Sequence, residues 1–447
     1  MKHAARSASA CFLWIFVFSS FSGHGQTYSF RYNGANDRYE IQPANEGVYC
    51  LFRTDKKKLP TTAFRKVFLS KNLKAIDSID YSIEGKARLM ASYDDEKFVV
   101  HTFYATTSPL EKIIFLVTDH HGKTVTSFSK TIVDFSRYFS KPVKKLKHLT
   151  LSFVPNSGSP GMLLLQLYQM GNSGIIRANL FSINAEDGQE IWVSNAPQFT
   201  QIQTTEQLII GLVENRQIFW VDKKTGQVVK SVLIDLGQKG YRAISVFATN
   251  GTELMLAGSD FESASLKNGK FFMMLFDVSG EKIFDKTDSA QRFSTKRMHL
   301  MGGAFDQNGN VVLVAEGWKP DATRAIVATG ASILVAAMGG GYPGLYTSVD
   351  HKIEQLIFAT LSPVDGSLQN YRSFPVGPWL SYGQLTIGGS HILLQVNNEV
   401  FMYDVNEPST PPFLFTSLQA NESLELSGSG PIVVSLLKKK YQLRKIN

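Results

Sequence analysis

A short apolar strand followed by a tight polar turn recurs along this chain. The clearest copy spans residues 180–192, where the turn contains Gly188. The same pattern returns at residues 218–229, with Gly226 in the turn. Weaker copies surround three more glycines, which are Gly122, Gly280 and Gly366. Apolar runs separated by glycine-containing turns are typical of antiparallel hairpins, so the sequence predicts an all-β chain built from one repeated hairpin.

The predicted strands fall into groups of four, with connections short enough for antiparallel neighbours. The first group lies between residues 28 and 85, and five further groups follow between residues 87 and 374. A last group is predicted at 383–387, 391–397 and 399–403, and it is completed by a strand at 432–437 or at 441–446.

Several predicted strands are apolar at every position rather than at alternate positions, as at 162–165, 218–221 and 271–276. A strand that is apolar on both faces must be covered on both faces. Four-stranded sheets stacked around an axis provide that cover. The spacing of Gly188 and Gly226 is close to the repeat of about 40–50 residues of a propeller blade. The sequence therefore predicts a β-propeller of four-stranded blades, with seven blades preferred and six or eight as alternatives.

Residues 184–192, followed by residues 222–226, carry a strand, an Asp, a Gly and a Trp in the order seen in a known repeat. This order resembles the signature of quinoprotein-type (PQQ-like) β-propeller repeats, and the whole chain resembles uncharacterised secreted bacterial propeller proteins. The resemblance implies either a cofactor-dependent dehydrogenase or a non-enzymatic scaffold of envelope assembly. Dehydrogenases of that kind use an adjacent Cys-Cys pair. This chain has only Cys11 and Cys50, so no cofactor is predicted.

The first 25 residues have the pattern of a secretory signal peptide. Lys2 and Arg6 are basic, residues 10–21 are apolar, and Gly23 and Gly25 suit a signal peptidase. We expect cleavage after residue 25, a single domain over 26–447, and a periplasmic or extracellular protein. An uncleaved membrane anchor is the alternative.

The chain carries a net charge of +8, spread along its length. For an exported protein, this spread-out charge predicts no nucleic-acid partner. The basic C-terminus, which includes Lys440 and Arg444, is interpreted as a solvated strand, with contact to anionic lipid as the alternative. Cys50 stands between apolar residues and is interpreted as a buried structural thiol.

Few residues suggest chemistry, and the catalytic residues are unknown at this stage. His120 and His121 share a turn but have no third ligand nearby in sequence, so a solvated turn is preferred over a metal site. Asp94, Asp95 and Glu96 lack the spacing of a calcium loop and are interpreted as an acidic turn. Glycines 339–341 lack the Lys-Ser/Thr of a phosphate loop and are interpreted as a flexible connection. No metal is predicted.

An insertion at residues 318–351 interrupts the repeat between the second and third strands of a unit. Its apolar part, 325–338, is too short to cross a bilayer as a helix. It is either folded onto the propeller or exposed to a protein partner or a membrane surface. Trp192 and Trp220 are predicted to pack between sheets.

These observations lead to two functional hypotheses. The preferred one is an exported, non-enzymatic β-propeller that acts as a binding or scaffold protein of the cell envelope. It would contact a partner through residues 318–351. The alternative is a secreted hydrolase or lyase whose residues converge in the propeller funnel.

Overall fold

The structure is a computed structural model. It describes residues 27–31, 39–44, 47–54, 60–107, 110–138, 149–154, 156, 159–171, 174–177, 179–214, 216–234, 241–261, 270–287, 298–306, 308–320, 351–379, 384–388, 391–396, 399–404, 407, 410–419, 422–427, 430–437 and 440–445.

The described residues form strands almost throughout, in agreement with the all-β prediction. In the first half of the chain the strands are β1 (Thr27–Arg31), β2 (Glu40–Ala44), β3 (Gly47–Arg53), β4 (Thr61–Ser70), β5 (Ala75–Glu84), β6 (Lys86–Asp94), β7 (Val99–Thr107), β8 (Leu110–Thr118), β9 (Thr124–Thr131), β10 (Leu149–Val154), β11 (Met162–Gly171), β12 (Gly174–Arg177), β13 (Phe181–Asn184), β14 (Glu190–Val193), β15 (Gln201–Thr204), β16 (Leu208–Val213), β17 (Gln217–Asp222) and β18 (Val228–Leu233).

In the second half they are β19 (Tyr241–Thr249), β20 (Glu253–Phe261), β21 (Lys270–Asp277), β22 (Lys282–Thr287), β23 (Met298–Phe305), β24 (Val311–Pro320), β25 (His351–Leu361), β26 (Leu368–Trp379), β27 (Gln384–Gly388), β28 (His391–Val396), β29 (Glu399–Asp404), β30 (Phe413–Ser417), β31 (Glu422–Ser427), β32 (Gly430–Leu437) and β33 (Lys440–Lys445). One short helix, α1 (Ile132–Ser136), follows β9. No helix in the described ranges has the length and apolar character needed to cross a membrane.

The strands form eight separate sheets that follow one another along the chain, so the fold is an eight-bladed β-propeller. Blades 1 to 7 begin at β2, β6, β10, β15, β19, β23 and β27, and in each the strands pair in chain order. In blade 3, β12 is an additional strand that pairs with β11. First strands of successive blades contact each other, for example β6 with β10 and β19 with β23. These first strands are therefore the innermost ones.

Blade 8 corrects the prediction of seven blades. Its order is β31-β32-β33-β1, so the N-terminal strand closes the ring against the C-terminal one, with Thr27 opposite Arg444. The prediction placed 432–437 or 441–446 in the seventh blade. The structure gives that place to β30 and uses β32 and β33 in a further blade. The sequence predicts no strand at β30 or β31, and strands of two blades are therefore assigned to one blade.

The hydrophobic core lies between the blades. Each of the eight pairs of neighbouring blades shares a cluster of buried apolar side chains. Strand β17 shows how this works: Ile218 and Trp220 pack towards blade 5, whereas Val221 packs towards blade 3. The central strands are thus covered on both faces, as their unbroken apolar runs predict.

The turn glycines mark a repeated contact between blades. Gly226 of blade 4 has a φ of 71°, and a Cβ there would lie 2.4 Å from the Trp192 ring of blade 3. Gly188 of blade 3 approaches Phe128 of blade 2 in the same way. The indole N–H of Trp192 also donates to the carbonyl oxygen of Lys223 at 3.1 Å. The Gly-to-Trp pattern of the sequence is therefore an inter-blade packing pattern.

Two further sequence predictions can be compared with these elements. Trp192 and Trp220 are both buried between blades, which confirms their predicted packing. The insertion does lie between the second and third strands of a blade. However, β24 and β25 pair as far as Pro320 opposite His351. Both ends of the predicted insertion therefore belong to the blade 6 hairpin, and residues 321–350 lie outside the described residues.

Candidate functional site

The interface between blades 1 and 2 contains polar side chains where the repeat places apolar ones. Blades 1 to 6 can be aligned on the residue just before the turn between their third and fourth strands, whose amide donates to a carbonyl oxygen on the other side of the turn. In chain order these residues are Ser70, Asp119, Asn184, Asp222, Asp277 and Ser362. Four residues earlier, blade 1 has Lys66. The equivalent residues of blades 2 to 6 are all buried and apolar: Phe115, Leu180, Ile218, Met273 and Phe358.

Two positions of blade 2 break the repeat in the same way. His101 of β7 is paired with Ser92 of β6. The residues equivalent to His101 in blades 3 to 6 are Leu165, Gly211, Leu256 and Leu313. Those equivalent to Ser92 are Phe153, Ile202, Phe247 and Gly303. A departure from an otherwise consistent pattern is expected at functional sites, so this interface is the candidate site.

The polar side chains form a continuous series of contacts across the interface. Lys66 Nζ lies 3.4 Å from His101 Nε2, and His101 Nδ1 lies 2.6 Å from Ser92 Oγ. Ser92 Oγ donates to Glu40 Oε2 at 2.7 Å, and the Ser92 amide donates to Glu40 Oε1 at 2.9 Å. Glu40 is on β2 and Ser92 on β6, the innermost strands of the two blades. The series therefore begins on a central strand and ends beside the propeller axis.

Burial differs along this series. Lys66 and His101 are 0% exposed, whereas Ser92 and Glu40 are half-buried. Burial, followed by the charge of Lys66, lowers the pKa of His101 well below its usual value. The imidazole is therefore neutral at neutral pH.

Lys66 is a buried cation, and no carboxylate of the described residues is in direct contact with it. Burial lowers its pKa from 10.5 to about 8, against the opposing charges of Asp94, Asp119 and Glu40. Its ammonium lies 3.9 Å from the centre of the Tyr49 ring and 5.2 Å from that of Phe68. Cation–π contacts of this kind offset part of the lost hydration.

Two tyrosines complete the surroundings. Burial, and then the charges of Glu40 and Asp94, raise the pKa of Tyr49 well above its usual value. Tyr81 donates its hydroxyl to the carbonyl oxygen of Gly122 at 2.7 Å, and burial also raises its pKa. Both phenols are therefore neutral, and Lys66 and Glu40 carry the charge in the series.

The histidine turn departs partly from its prediction. His121 is exposed, as expected of a solvated turn. His120 is half-buried instead, with Nε2 3.0 Å from Asp94 Oδ1 and 2.8 Å from the Asp95 carbonyl oxygen. Among the described residues, no three His, Cys, Asp or Glu side chains are arranged to hold a metal ion. His120 therefore joins the two turns at one end of blade 2.

The acidic turn is a structural cap. Asp95 Oδ1 accepts the amides of Lys97 and Phe98, at 2.7 and 2.6 Å. Its Oδ2 accepts the amide of Gly161 from blade 3 at 3.0 Å. Asp95 thus holds three N–H groups and links its turn to blade 3.

The other sequence-based candidates show no shared site. Cys50 is fully buried and burial raises its pKa, which confirms the interpretation as an inert thiol. Lys440 is exposed at the start of β33, and Arg444 lies 3.7 Å from Glu422. Residues 339–341, 438 and 439 lie outside the described residues.

Sequence reasoning missed the polar series, although its signal is visible. Lys66 interrupts the apolar run of β4, and His101 interrupts that of β7. Lys66 lies on the face of β4 that also carries Phe64 and Phe68, so its side chain is predicted to lie between the blades. The partner Glu40 lies on a strand that the sequence does not predict, so the series itself could not be assembled.

Comparisons with known proteins give structural likeness only. Neither a protein-family model nor a curated protein matches the sequence. The chain is similar to the solved structure of BamB from Moraxella catarrhalis, with 11% identity over 94% of this chain and 99% of that one, and a TM-score of 0.43. It is also similar to the computationally designed Ika8 protein, with 10% identity over 92% of this chain and 100% of that one, and a TM-score of 0.44. A third similar structure is that of Sqt1 from Saccharomyces cerevisiae, with 7% identity over 94% of this chain and 100% of that one, and a TM-score of 0.47.

The sheet order of the chain itself confirms the predicted propeller of four-stranded blades. The finer resemblance, to quinoprotein-type repeats, stays a prediction because no family model matches.

Proposed function

We propose that this chain is an exported, non-enzymatic propeller of quinoprotein-type repeats that acts as a binding or scaffold protein of the cell envelope. The N-terminal sequence supports export, because residues 1–25 have the order of a signal peptide and β1 begins at Thr27. The contact of Gly226 with Trp192 supports the repeat type, since it gives the Gly and Trp of the signature a packing role.

The central hairpin of blade 6 carries the proposal of a binding role. The first strand of the blade, β23, pairs with β24 from Phe305 opposite Val311 to Met298 opposite Gly317. Beyond that point, within the described ranges, β24 pairs with β25 as far as Pro320 opposite His351. The hairpin thus continues past the described end of β23 and leads to residues 321–350, which lie outside the described residues. Repeat proteins often place binding surfaces in insertions at such positions.

The test replaces residues 321–349 with a Gly/Ser linker and compares the variant with the full chain. We expect an unchanged melting temperature, because all eight sheets keep their strands. We also expect loss of the crosslinked envelope complex that the full chain forms in intact cells. A control with a Gly/Ser linker of the native length separates the loss of side chains from the loss of length.

Two outcomes would contradict this binding role. A variant that does not fold would place the insertion in the core. A variant that keeps its crosslinked partner would place the binding surface elsewhere. Adsorption to lipid vesicles without a protein partner would instead support peripheral membrane contact.

Export is tested separately by N-terminal sequencing of protein recovered from the envelope fraction. We expect the mature chain to begin at Gln26, one residue before β1. Retention of Met1 on a membrane-bound form would support the uncleaved anchor and contradict the proposal.

One observation favours a second candidate, the secreted hydrolase. The hydroxyl of Ser92 lies 2.6 Å from an imidazole nitrogen and donates to a carboxylate oxygen of Glu40 at 2.7 Å, and the carboxylate can accept its proton. A serine with an adjacent base is a candidate nucleophile. A fluorophosphonate probe tests this: labelling that Ser92→Ala abolishes would favour the hydrolase, and absence of labelling would contradict a nucleophilic role of Ser92.

A further inference from the structure

We infer that Lys66, His101, Ser92 and Glu40 form a proton relay that connects a buried ammonium to a half-buried carboxylate and reverses its hydrogen-bond direction when the lysine loses its proton. This inference concerns a pH-sensitive element of the fold and does not depend on the proposed binding role.

The hydrogen-bond direction at neutral pH follows from the chemistry of the four groups. An ammonium offers only donors, so Nε2 of the neutral His101 must be the accepting nitrogen that faces Lys66. His101 Nδ1 then carries the hydrogen and donates to Ser92 Oγ. Ser92 must therefore donate its own hydrogen to Glu40 Oε2. Each group in the series gives one hydrogen in the same direction, towards the propeller axis.

Loss of the Lys66 proton can proceed along the same contacts. The ammonium gives a proton to His101 Nε2, and Nδ1 gives one to Ser92. Ser92 passes its hydrogen to Glu40, which releases it to solvent because it is half-buried. The net change is one proton lost, with no bond to carbon formed or broken. Lys66 is left as a neutral amine that accepts from Nε2–H, and Ser92 now donates to Nδ1.

The groups around Lys66 are consistent with a change of its charge in an accessible pH range. It faces Glu40 on β2, Tyr49 on β3, Asp94 on β6, His101 on β7 and Asp119 after β8, and Tyr81 on β5 contacts the His101 ring. The three carboxylates favour the ammonium. Burial acts against it more strongly, so the pKa of Lys66 falls to about 8. The two phenols are neutral on either side of this value.

Reversal changes what Glu40 presents near the axis. At neutral pH its Oε2 accepts from Ser92 Oγ, and its Oε1 accepts from the Ser92 amide and from Gln42. After reversal the hydroxyl of Ser92 points to His101. Glu40 then has additional capacity to accept a donor from solvent or from a cationic ligand.

The experiment is ¹⁵N NMR of the mature protein labelled at histidine, with the His101 signal assigned by its loss in His101→Asn. We expect the Nδ1–H tautomer at pH 6 and the Nε2–H tautomer at pH 10, with a midpoint near pH 8. An unchanged tautomer across this range in the wild-type protein would overturn the relay. This measurement requires no substitution at Lys66, so it stands even if such variants fail to fold.

Two variants assign the change to the relay. Lys66→Met should abolish the tautomer exchange near pH 8, and persistence of the exchange would contradict the inference. Lys223→Met is the matched control, because Lys223 is also buried but donates to the carbonyl oxygen of Thr205 in blade 4. It should leave the His101 transition within about 0.3 pH units of the wild type.

Discussion

The interface between blades 1 and 2 and the interface between blades 4 and 5 use equivalent strand positions but fill them differently. Between blades 4 and 5, Trp220 packs with Phe272 and Phe276 in an apolar cluster. In the same cluster, Ile218 and Leu256 occupy the positions that Lys66 and His101 occupy between blades 1 and 2. The comparison shows that the propeller geometry accepts both fillings.

The two interfaces differ in what they contribute to stability. Apolar burial stabilises the folded state and does not depend on pH. A buried ammonium lowers stability unless its hydration is replaced, and a cation–π contact with Tyr49 replaces only part of it. The repeat shows that Ile218 fits where blade 1 has Lys66. Blade 1 therefore carries a destabilising residue at a position where an apolar one fits, which points to a role other than stability.

The largest effect is expected in the apolar interface. Trp220→Ala should lower the free energy of unfolding by about 3–5 kcal/mol, because truncation of a buried Trp leaves a cavity. Chemical denaturation of the mature protein measures this. Val229→Ala in the same blade is the control, since Val229 is 58% exposed and should change stability by less than about 0.5 kcal/mol. Equal effects of the two substitutions would place Trp220 at the surface.

In the polar interface between blades 1 and 2, an apolar substitution should increase stability instead of lowering it. Lys66→Met should raise the free energy of unfolding at pH 7 by up to about 3 kcal/mol, because a pKa lowered from 10.5 to about 8 measures the cost of burying the charge. The loss of the His101 contact and of the cation–π contact reduces this gain. A variant less stable than the wild type at pH 7 would show that these contacts outweigh the burial.

The same substitution predicts a pH dependence. The folded pKa of Lys66 lies below the unfolded one, so the destabilisation is fully present below pH 8 and is relieved between about pH 8 and 10.5. The stability difference between Lys66→Met and wild type should therefore shrink as pH rises through this window. A difference that is constant from pH 7 to 10.5 would contradict the lowered pKa.

A fourth prediction compares the glycine contacts of the two kinds of interface. A Cβ at Gly226 would lie 2.4 Å from the rigid ring of Trp192, whereas one at Gly122 would lie 2.7 Å from the terminal Cδ1 of Ile79. Gly226→Ala should cost about 2–3 kcal/mol, and Gly122→Ala less, because an Ile methyl group can move aside. Gly251→Ala, with positive φ but open space, should cost about 1 kcal/mol. Equal losses of stability at all three glycines would mean that the cost of the substitution depends on the backbone conformation alone.

Much of the fold could be predicted because the interfaces are mostly apolar. The runs at 218–221 and 271–276 must be covered on both sides, and this requirement leads to stacked sheets. The blade number could not be predicted, because β1 is a strand only through its pairing with β33 at the far end of the chain. Pairing over that distance leaves no local pattern in five residues.

The candidate site was harder to predict than the fold. Lys66 and His101 lie on different blades, and Glu40 lies on a short strand with only one strongly apolar residue, Ile41. The sequence shows that Lys66 and His101 each interrupt an apolar run, but the contact between them depends on the register of two sheets. Such contacts can be identified only when the arrangement of neighbouring blades is known.

The smallest effect is expected one residue before Lys66 on the same strand. Arg65 and Asp80 form an ion pair with N–O distances of 2.7 and 2.8 Å, but both side chains are largely exposed. Hydrogen bonding to Arg65 lowers the pKa of Asp80, so the pair contributes stability above the unfolded pKa and loses it as pH falls through the folded one. Solvent screening limits this contribution, so Arg65→Ala should change stability by less than about 0.5 kcal/mol at pH 7. The difference should disappear at acidic pH once Asp80 is protonated. If Arg65→Ala changed the free energy of unfolding as much as Lys66→Met does, the effect of a β4 cation on stability would not depend on its burial. The contrast between the buried and the solvated charge would then be wrong.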